Sequence, residues 1–163
     1  MDLSHGLPFA HPMKITAGTY DDIGDCALII ITAGASQRPG ETRLDLVQRN
    51  VAIFRTIIPA ITQRNREAVL LIGSNPVDIL TYAALKLSGF PEHRVLGSGT
   101  VLDSARLKYL LSQHLEVDSR SVHAFVIGEH GDSEVAVWSG ANVSGVALNH
   151  FCELRGHFDH PAA

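Results

Sequence analysis

The uninterrupted apolar run at residues 26–33 restricts the fold more than any other feature of the sequence. The run has the length of a β-strand, and Thr32 is its only polar residue. A strand that is apolar on both faces belongs inside a parallel sheet whose two faces are covered by helices. A second run, at residues 68–72, repeats the pattern. The sequence therefore predicts a parallel sheet with helices on both faces.

The segments between these runs have the periodicity of helices. From residue 42 to residue 65 apolar residues recur at steps of three and four, which predicts one long amphipathic helix with a kink at Pro59. Asn75 as N-cap and Pro76 at the first helical position predict a second helix, which Gly89 ends. A third helix is predicted over residues 101–115, and short strands at 13–17, 94–97, 121–127 and 134–138. This alternation predicts a doubly wound α/β fold with right-handed crossovers.

The composition argues against several classes of partner. With 163 residues, a net charge of −4 and a pI near 6.1, the chain offers no electrostatic basis for binding nucleic acid or an anionic membrane surface. Its apolar runs are too short to span a bilayer. Its two cysteines form neither a metal-binding pattern nor a disulfide framework, and its first residues lack the features of a signal peptide. We therefore expect a cytoplasmic protein without a bound metal.

A histidine between two glycines is the candidate catalytic group. His130 follows the apolar run at residues 125–127 and lies in the segment Gly-Glu-His-Gly-Asp-Ser at residues 128–133. A turn at the end of a strand is where open α/β folds bind ligands, and imidazole exchanges protons near neutral pH. In a chain with nine histidines, a single histidine is more often without a catalytic role. The segment upstream favours the catalytic interpretation of His130.

That segment is Leu-Asp-Ser-Ala-Arg at residues 102–106, at the start of the third predicted helix. Asp103 and Arg106 are three residues apart and therefore share one helix face. The structural interpretation is a capping box of Thr100 with Asp103 and a surface ion pair of Asp103 with Arg106. The functional interpretation gives His130 a carboxylate that fixes its tautomer, and gives a substrate carboxylate a guanidinium partner.

Four segments in fixed order carry a resemblance to a known family. They are residues 33–43, 74–78, 102–106 and 128–133. Together they resemble the signatures of the NAD-dependent L-lactate/malate dehydrogenase family, and most closely those of bacterial L-lactate dehydrogenases. The resemblance implies the second part of a Rossmann-like dinucleotide-binding domain at residues 1–98 and the beginning of a catalytic α+β domain at residues 99–163. The family's first strand, glycine-rich turn and acidic second-strand end are missing from the sequence, as is the C-terminal part, so we expect an incomplete sheet and a truncated or partial chain.

The resemblance implies a hydride transfer between NAD and a 2-hydroxy/2-oxo monocarboxylic acid, lactate or pyruvate. In the implied mechanism Arg106 binds the substrate carboxylate and Arg43, on a closing loop, polarises the carbonyl. His130 exchanges the hydroxyl proton while Asp103 holds its ring. Asn75 contacts both the substrate oxygen and the cofactor.

Further cofactor contacts are implied for Ala33 and Gly34, and substrate choice is implied for Gln37. Lactate dehydrogenases typically have glutamine at this position, whereas malate dehydrogenases have an arginine that pairs with the second carboxylate. The neighbouring Arg38 leaves malate dehydrogenase open as an alternative, because a shift of the loop by one residue would bring its charge into the pocket. A second alternative is a non-catalytic remnant that binds no NAD and serves only as a folding or assembly partner.

The resemblance also implies an effector site and an oligomer. Lys108 and His123 lie at positions where some bacterial members bind a sugar bisphosphate between subunits. The complete protein is expected to be a homo-oligomer, either a tetramer or a dimer.

Overall fold

A computed structural model describes residues 11–36, 38–40 and 42–156, except for the side chain of Arg43. The elements form two groups in chain order. The first group contains β1 (Leu28–Ile31), α1 (Arg43–Thr62), β2 (Val69–Ile72), α2 (Val77–Ser88) and β3 (Val95–Gly97). The second contains α3 (Val101–Leu115), β4 (Val122–His123), β5 (Val126–Ile127), β6 (Val135–Ala136), β7 (Asn142–Val143), β8 (Val146–Ala147) and α4 (Leu148–Arg155).

The first group is a parallel sheet in the order β1-β2-β3. The helices α1 and α2 pack against each other and against one face of this sheet. The largest side chains without solvent exposure in the core of this group are those of Phe54, Ile58, Leu70, Ile72 and Leu80. Burial of a side chain of this size contributes roughly 1.5–3 kcal/mol to folding. The alternation of strands and helices therefore produces the α/β fold that the sequence predicts.

The second face of the sheet differs from the prediction. Ile30, Leu71 and Leu96 share one row of the register, and Ile30 is 57% exposed and Leu96 48% exposed. Leu28, on the same face of β1, is 50% exposed. The prediction of burial on both faces is wrong for the described part of the chain, because α1 and α2 both lie on the other face.

Three local predictions are also wrong. Residues 13–17 are exposed and form no strand, since no described strand lies beside them to pair with their backbone. Asn75 is not a helix cap: Pro76, with an extended ψ of 117°, occupies the N-cap position of α2 and provides no side-chain cap. Thr100 precedes α3 but forms no capping box, because its hydroxyl bonds a strand instead.

The second group packs α3 and α4 around short antiparallel strands. β4, β7 and β8 form one sheet, and β5 and β6 form a hairpin. The predicted strand at residues 121–127 is therefore divided, because β4 and β5 pair with different partners. The core of this second group contains Leu115, Val122, Leu148 and Cys152. Within the described residues, no helix is both long and apolar enough to cross a membrane.

Candidate active site

His130 and Asp103 form the centre of the candidate site. The Nδ1 atom of His130 lies 2.6 Å from Oδ2 of Asp103, and the two side chains are 26% and 10% exposed. A carboxylate at Nδ1 favours the tautomer with its proton on that nitrogen, which leaves Nε2 for proton exchange. The two residues are 27 positions apart in the sequence. The contact predicted from the two motifs is therefore formed, and it has the geometry of an oriented acid/base.

Two hydroxyl groups hold the helix of Asp103 against the strand that leads to His130. The Thr100 hydroxyl donates to the Val126 carbonyl at 2.6 Å, and the Ser104 hydroxyl accepts from the Val126 N–H at 2.9 Å. Val126 thus forms hydrogen bonds with one side chain that precedes Asp103 and one that follows it in the sequence. Sequence reasoning missed this role, although hydroxyl residues four apart that flank an aspartate are visible in the sequence.

The turn of His130 is fixed by its own side chains and by a second helix. Gly128 has a φ of +95°, which an L side chain rarely adopts. Ser133 donates to the Glu129 carboxylate at 2.7 Å across the turn. The backbone N–H of His130 donates to Oδ2 of Asp78, in the first turn of α2, at 3.0 Å. Asp78 was not predicted as a site residue, because nothing in its local sequence indicates a partner 52 residues away.

Arg106 lies on the outer side of the pair. Its Nη1 atom is 3.4 Å from Oδ1 of Asp103, and its side chain is 64% exposed. The two carboxylate oxygens of Asp103 thus face a guanidinium and an imidazole. An exposed guanidinium has five N–H donors, so this contact leaves donors for a second anion. The surface-pair interpretation of Asp103 with Arg106 is correct, and it does not conflict with substrate binding.

A cleft of about 670 Å³ lies between the turn of His130 and the first turns of α1 and α2. Its polar lining includes Asn75, which is exposed, and Glu129 and Glu134 from the histidine turn. Its apolar wall comprises Leu44, Leu46, Val47, Pro76 and Ile79. The cleft lies beyond the carboxyl end of β2, where open parallel sheets bind ligands. The structure therefore brings His130 and Asn75 to one cavity.

A buried amide joins the loops at the carboxyl ends of β1 and β2. Asn50 on α1 has no solvent exposure; its Oδ1 accepts from the Ala35 N–H at 2.7 Å, and its Nδ2 donates to the Asn75 carbonyl at 3.0 Å. The Ser74 hydroxyl donates to the Ala33 carbonyl at 2.6 Å. Ala33 and Gly34, the predicted cofactor contacts, are exposed in this bonded loop. Sequence reasoning missed Asn50, whose signal is a polar residue on the apolar face of a helix.

Two further residues, Gln37 and Arg43, are implied in substrate binding. Gln37 lies outside the described residues. Arg43 is the first residue of α1, and its side chain is not described. The start of α1 is formed by a capping box in which Thr42 and Asp45 bond each other. These hydrogen bonds from Thr42 lower the pKa of the Asp45 carboxyl below its ordinary value.

The proposed effector residues lie away from the cleft. Lys108 is on α3 and His123 on β4, two elements that pack together. His123 is exposed and Lys108 is half-buried. Neither residue belongs to the lining of the cleft. Their joint role stays a prediction.

Asp103, His130 and Glu134 could together approach a cation. Each offers a ligand atom, and these atoms lie within 4.8 Å of one another. Asp103 already bonds His130 and Arg106, however, which favours an acid/base pair over a metal site. The expectation of no bound metal stays a prediction.

Both parts of the chain match models of one protein family. Residues 1–97 match the model described as lactate/malate dehydrogenase, NAD binding domain. Residues 100–161 match the model described as lactate/malate dehydrogenase, alpha/beta C-terminal domain. The boundary between the two matches falls between β3 and α3.

Similar whole proteins are longer than this chain. It is 56% identical over 153 residues to an L-lactate dehydrogenase of Acetivibrio thermocellus, covering 94% of this chain and 48% of that protein. It is 57% identical over 150 residues to an L-lactate dehydrogenase of Priestia megaterium, covering 92% and 47%. The chain thus spans about half the length of the curated relatives it matches.

Solved structures give the same result. A lactate dehydrogenase from a Medee basin deep-sea metagenome library superposes with a TM-score of 0.86 at 48% identity, over 93% of this chain and 49% of that one. The ligand-bound minor L-lactate dehydrogenase of Enterococcus mundtii superposes with a TM-score of 0.86 at 43% identity, over 96% and 50%.

Proposed function

The chain belongs to the lactate/malate dehydrogenase family, and from this premise we propose that it acts as an L-lactate dehydrogenase, an oxidoreductase that uses NAD and the lactate/pyruvate pair. The observation that carries the proposal is the 2.6 Å contact between His130 and Asp103 at the edge of the cleft. An oriented imidazole beside a ligand cavity is what proton exchange with a hydroxyl or carbonyl group requires.

The described residues fit the reactive end of a dinucleotide. The cleft has an apolar wall and the exposed residue Asn75. Ala33 and Gly34 are exposed just after the carboxyl end of β1, the side of an open parallel sheet on which ligands bind. The nicotinamide, when bound, supplies or accepts the hydride. Asn75 would orient both the cofactor and the substrate oxygen, since Asn50 fixes its backbone from inside the protein.

The protein residues perform the proton and charge chemistry of the reaction. During reduction of a 2-oxo acid, Nε2 of His130 donates its proton to the carbonyl oxygen, and during oxidation it accepts the proton back. Asp103 holds the ring and stabilises the imidazolium form. Arg106 binds the substrate carboxylate, and Arg43 stabilises the negative charge that develops on the carbonyl oxygen. The exposure of Arg106 and its bond to Asp103 support this role.

Gln37 is proposed to select a monocarboxylate. A neutral side chain there leaves the second carboxylate of oxaloacetate without a counter-charge. Malate dehydrogenase is the alternative, because Arg38 lies one residue further along the same loop.

Further proposals concern organisation and partners. We divide the chain into a dinucleotide-binding part, residues 1–98, and the beginning of a catalytic part, residues 99–163, as the two family matches support. A homo-oligomer of the complete protein, a tetramer or a dimer, is supported by the apolar side chains of Leu102 and Tyr109, which are 52% and 58% exposed and lie on the same side of α3. A cytoplasmic location is supported by the free thiols of both cysteines.

The test is turnover by the protein in the form in which the cell makes it. Oxidation of NADH is followed with pyruvate and with oxaloacetate, and pyruvate is expected to have the higher kcat/KM. Gln37→Arg should invert this preference by about 10²-fold or more, as expected for a missing or added counter-charge. Arg38→Gln is the matched control and should leave the preference unchanged.

Two results would overturn the proposal. A higher kcat/KM for oxaloacetate in the wild type, lost in Arg38→Gln, would favour malate dehydrogenase. Failure of the native protein to bind NADH would favour the non-catalytic remnant.

A further inference from the structure

Two bonds from two different helices hold His130. Its ring forms a hydrogen bond with the carboxylate of Asp103 on α3. Its backbone N–H donates a hydrogen bond to the carboxylate of Asp78 on α2 at 3.0 Å. The first helix belongs to the same family match as His130, and the second belongs to the other match. The bond to Asp78 therefore crosses from one part of the chain to the other.

We propose that Asp78 is a positioning residue that holds the acid/base turn against the start of α2. This inference rests on the proposed function of His130. Asn75 lies three residues before Asp78 and lines the same cleft as His130. Asp78 thus holds His130, which exchanges the proton, at the start of α2. Asn75, which orients substrate and cofactor, lies at the same helix start.

The local sequence explains why such a bond is needed. His130 has Gly128 and Gly131 close to it, and glycine leaves the backbone with more conformational freedom than any other residue. A bond to the ring alone would fix one point of the residue. A second bond, to its backbone, also fixes the direction from which the ring enters the cleft.

A merely structural role for Asp78 makes a different prediction. An acidic residue in the first turn of a helix also stabilises the helix dipole, and this effect needs the charge but not the bond to His130. Asp78→Asn removes the charge and retains an oxygen acceptor of the same shape. Asp78→Ala removes both. The two variants therefore separate positioning from helix stabilisation.

The primary test needs no turnover, so its failure is distinguishable from failure of the proposed enzyme activity. In the native form of the protein, hydrogen–deuterium exchange resolved to single amides by mass spectrometry should show the His130 amide hydrogen protected relative to an unstructured peptide. Asp78→Ala should speed exchange of the His130 amide hydrogen about tenfold, the effect of losing one hydrogen bond. Asp78→Asn should restore most of the protection. The amide of His123, on β4, is the internal control and should not change.

Turnover gives the second readout. In the active protein Asp78→Ala should lower kcat with pyruvate about tenfold and leave KM nearly unchanged, and Asp78→Asn should recover most of kcat. An unprotected His130 amide in the wild type would overturn the proposal whether or not the alanine variant folds. Equal loss in Asp78→Asn and Asp78→Ala would also overturn it, because helix charge would then account for the whole effect.

Discussion

Asp103 contacts both of the basic side chains of the site. One of its carboxylate oxygens faces the imidazole of His130 at 2.6 Å and the other faces the guanidinium of Arg106 at 3.4 Å. At 10% exposure it is more shielded from water than either partner. Shielding strengthens these electrostatic interactions, which in water would be weak. We therefore expect substitutions of Asp103 to affect proton exchange more than folding of the chain.

Asp103→Asn tests this expectation. The variant keeps the shape of the side chain but removes the charge that stabilises imidazolium, so kcat with pyruvate should fall about 10²-fold. The pH–rate profile of pyruvate reduction should move to lower pH, because the protonated imidazole loses its counter-charge. Steady-state rates across a pH series provide the measurement. A profile that coincides with that of the wild type would remove the pairing from the mechanism.

Single residues also show where sequence reasoning succeeds. The contact of His130 with Asp103 could be predicted because both lie in motifs whose chemistry is complementary. Asp78, Asn50 and Ser104 could not be assigned in the same way, because each acts through a backbone group far away in the sequence. Their partners become visible only when the tertiary structure brings them together.

At the scale of elements, local sequence patterns predict the helices correctly and predict the residues at which helices begin less reliably. The predicted bounds of the third helix agree with α3, since apolar periodicity is a property of the segment itself. The start of α2 was predicted one residue too early, because an asparagine before a proline also reads as a cap. The predicted strand at residues 121–127 is divided because strand pairing is decided by non-local partners.

The start of α1 gives a prediction for acidic pH. The hydrogen bonds from Thr42 lower the pKa of Asp45 below its ordinary value of 3.8, so the charged form is favoured in the folded protein. The stabilisation of the helix start is complete above pH 3.8 and is lost as the pH falls through the lowered pKa. In Thr42→Ala the NMR titration midpoint of Asp45 should rise toward 3.8. An unchanged midpoint would contradict the capping box.

At the scale of the whole molecule, the described residues cover the parallel sheet on one face. The apolar runs predict a sheet buried on both faces, but Leu28 and Ile30 on β1 are half exposed. A sequence pattern indicates that a surface prefers burial, but it does not show which segment covers it. An exposed apolar sheet face next to an unpaired strand edge favours association between molecules.

Sedimentation of the chain as given by its sequence tests this consequence. We expect a heterogeneous population larger than a defined dimer or tetramer, and we expect Leu28→Thr with Ile30→Thr to remove it without loss of β-propensity. Leu154→Gln is the matched control, because Leu154 is 67% exposed on α4, away from the sheet. A monodisperse wild type would contradict this expectation, as would the same distribution of sedimentation coefficients in the wild type and the double variant.

The most direct measurement for the whole account is NADH oxidation with pyruvate by the native form of the protein and by His130→Ala. The account predicts that the variant loses about 10²- to 10⁴-fold in kcat, the usual contribution of a positioned acid/base. His93→Ala, a substitution of an exposed histidine in the short helix Glu92–Arg94, serves as the control and should retain the wild-type rate. Retention of most of the rate in His130→Ala would contradict the assignment of His130 as the group that exchanges the substrate proton.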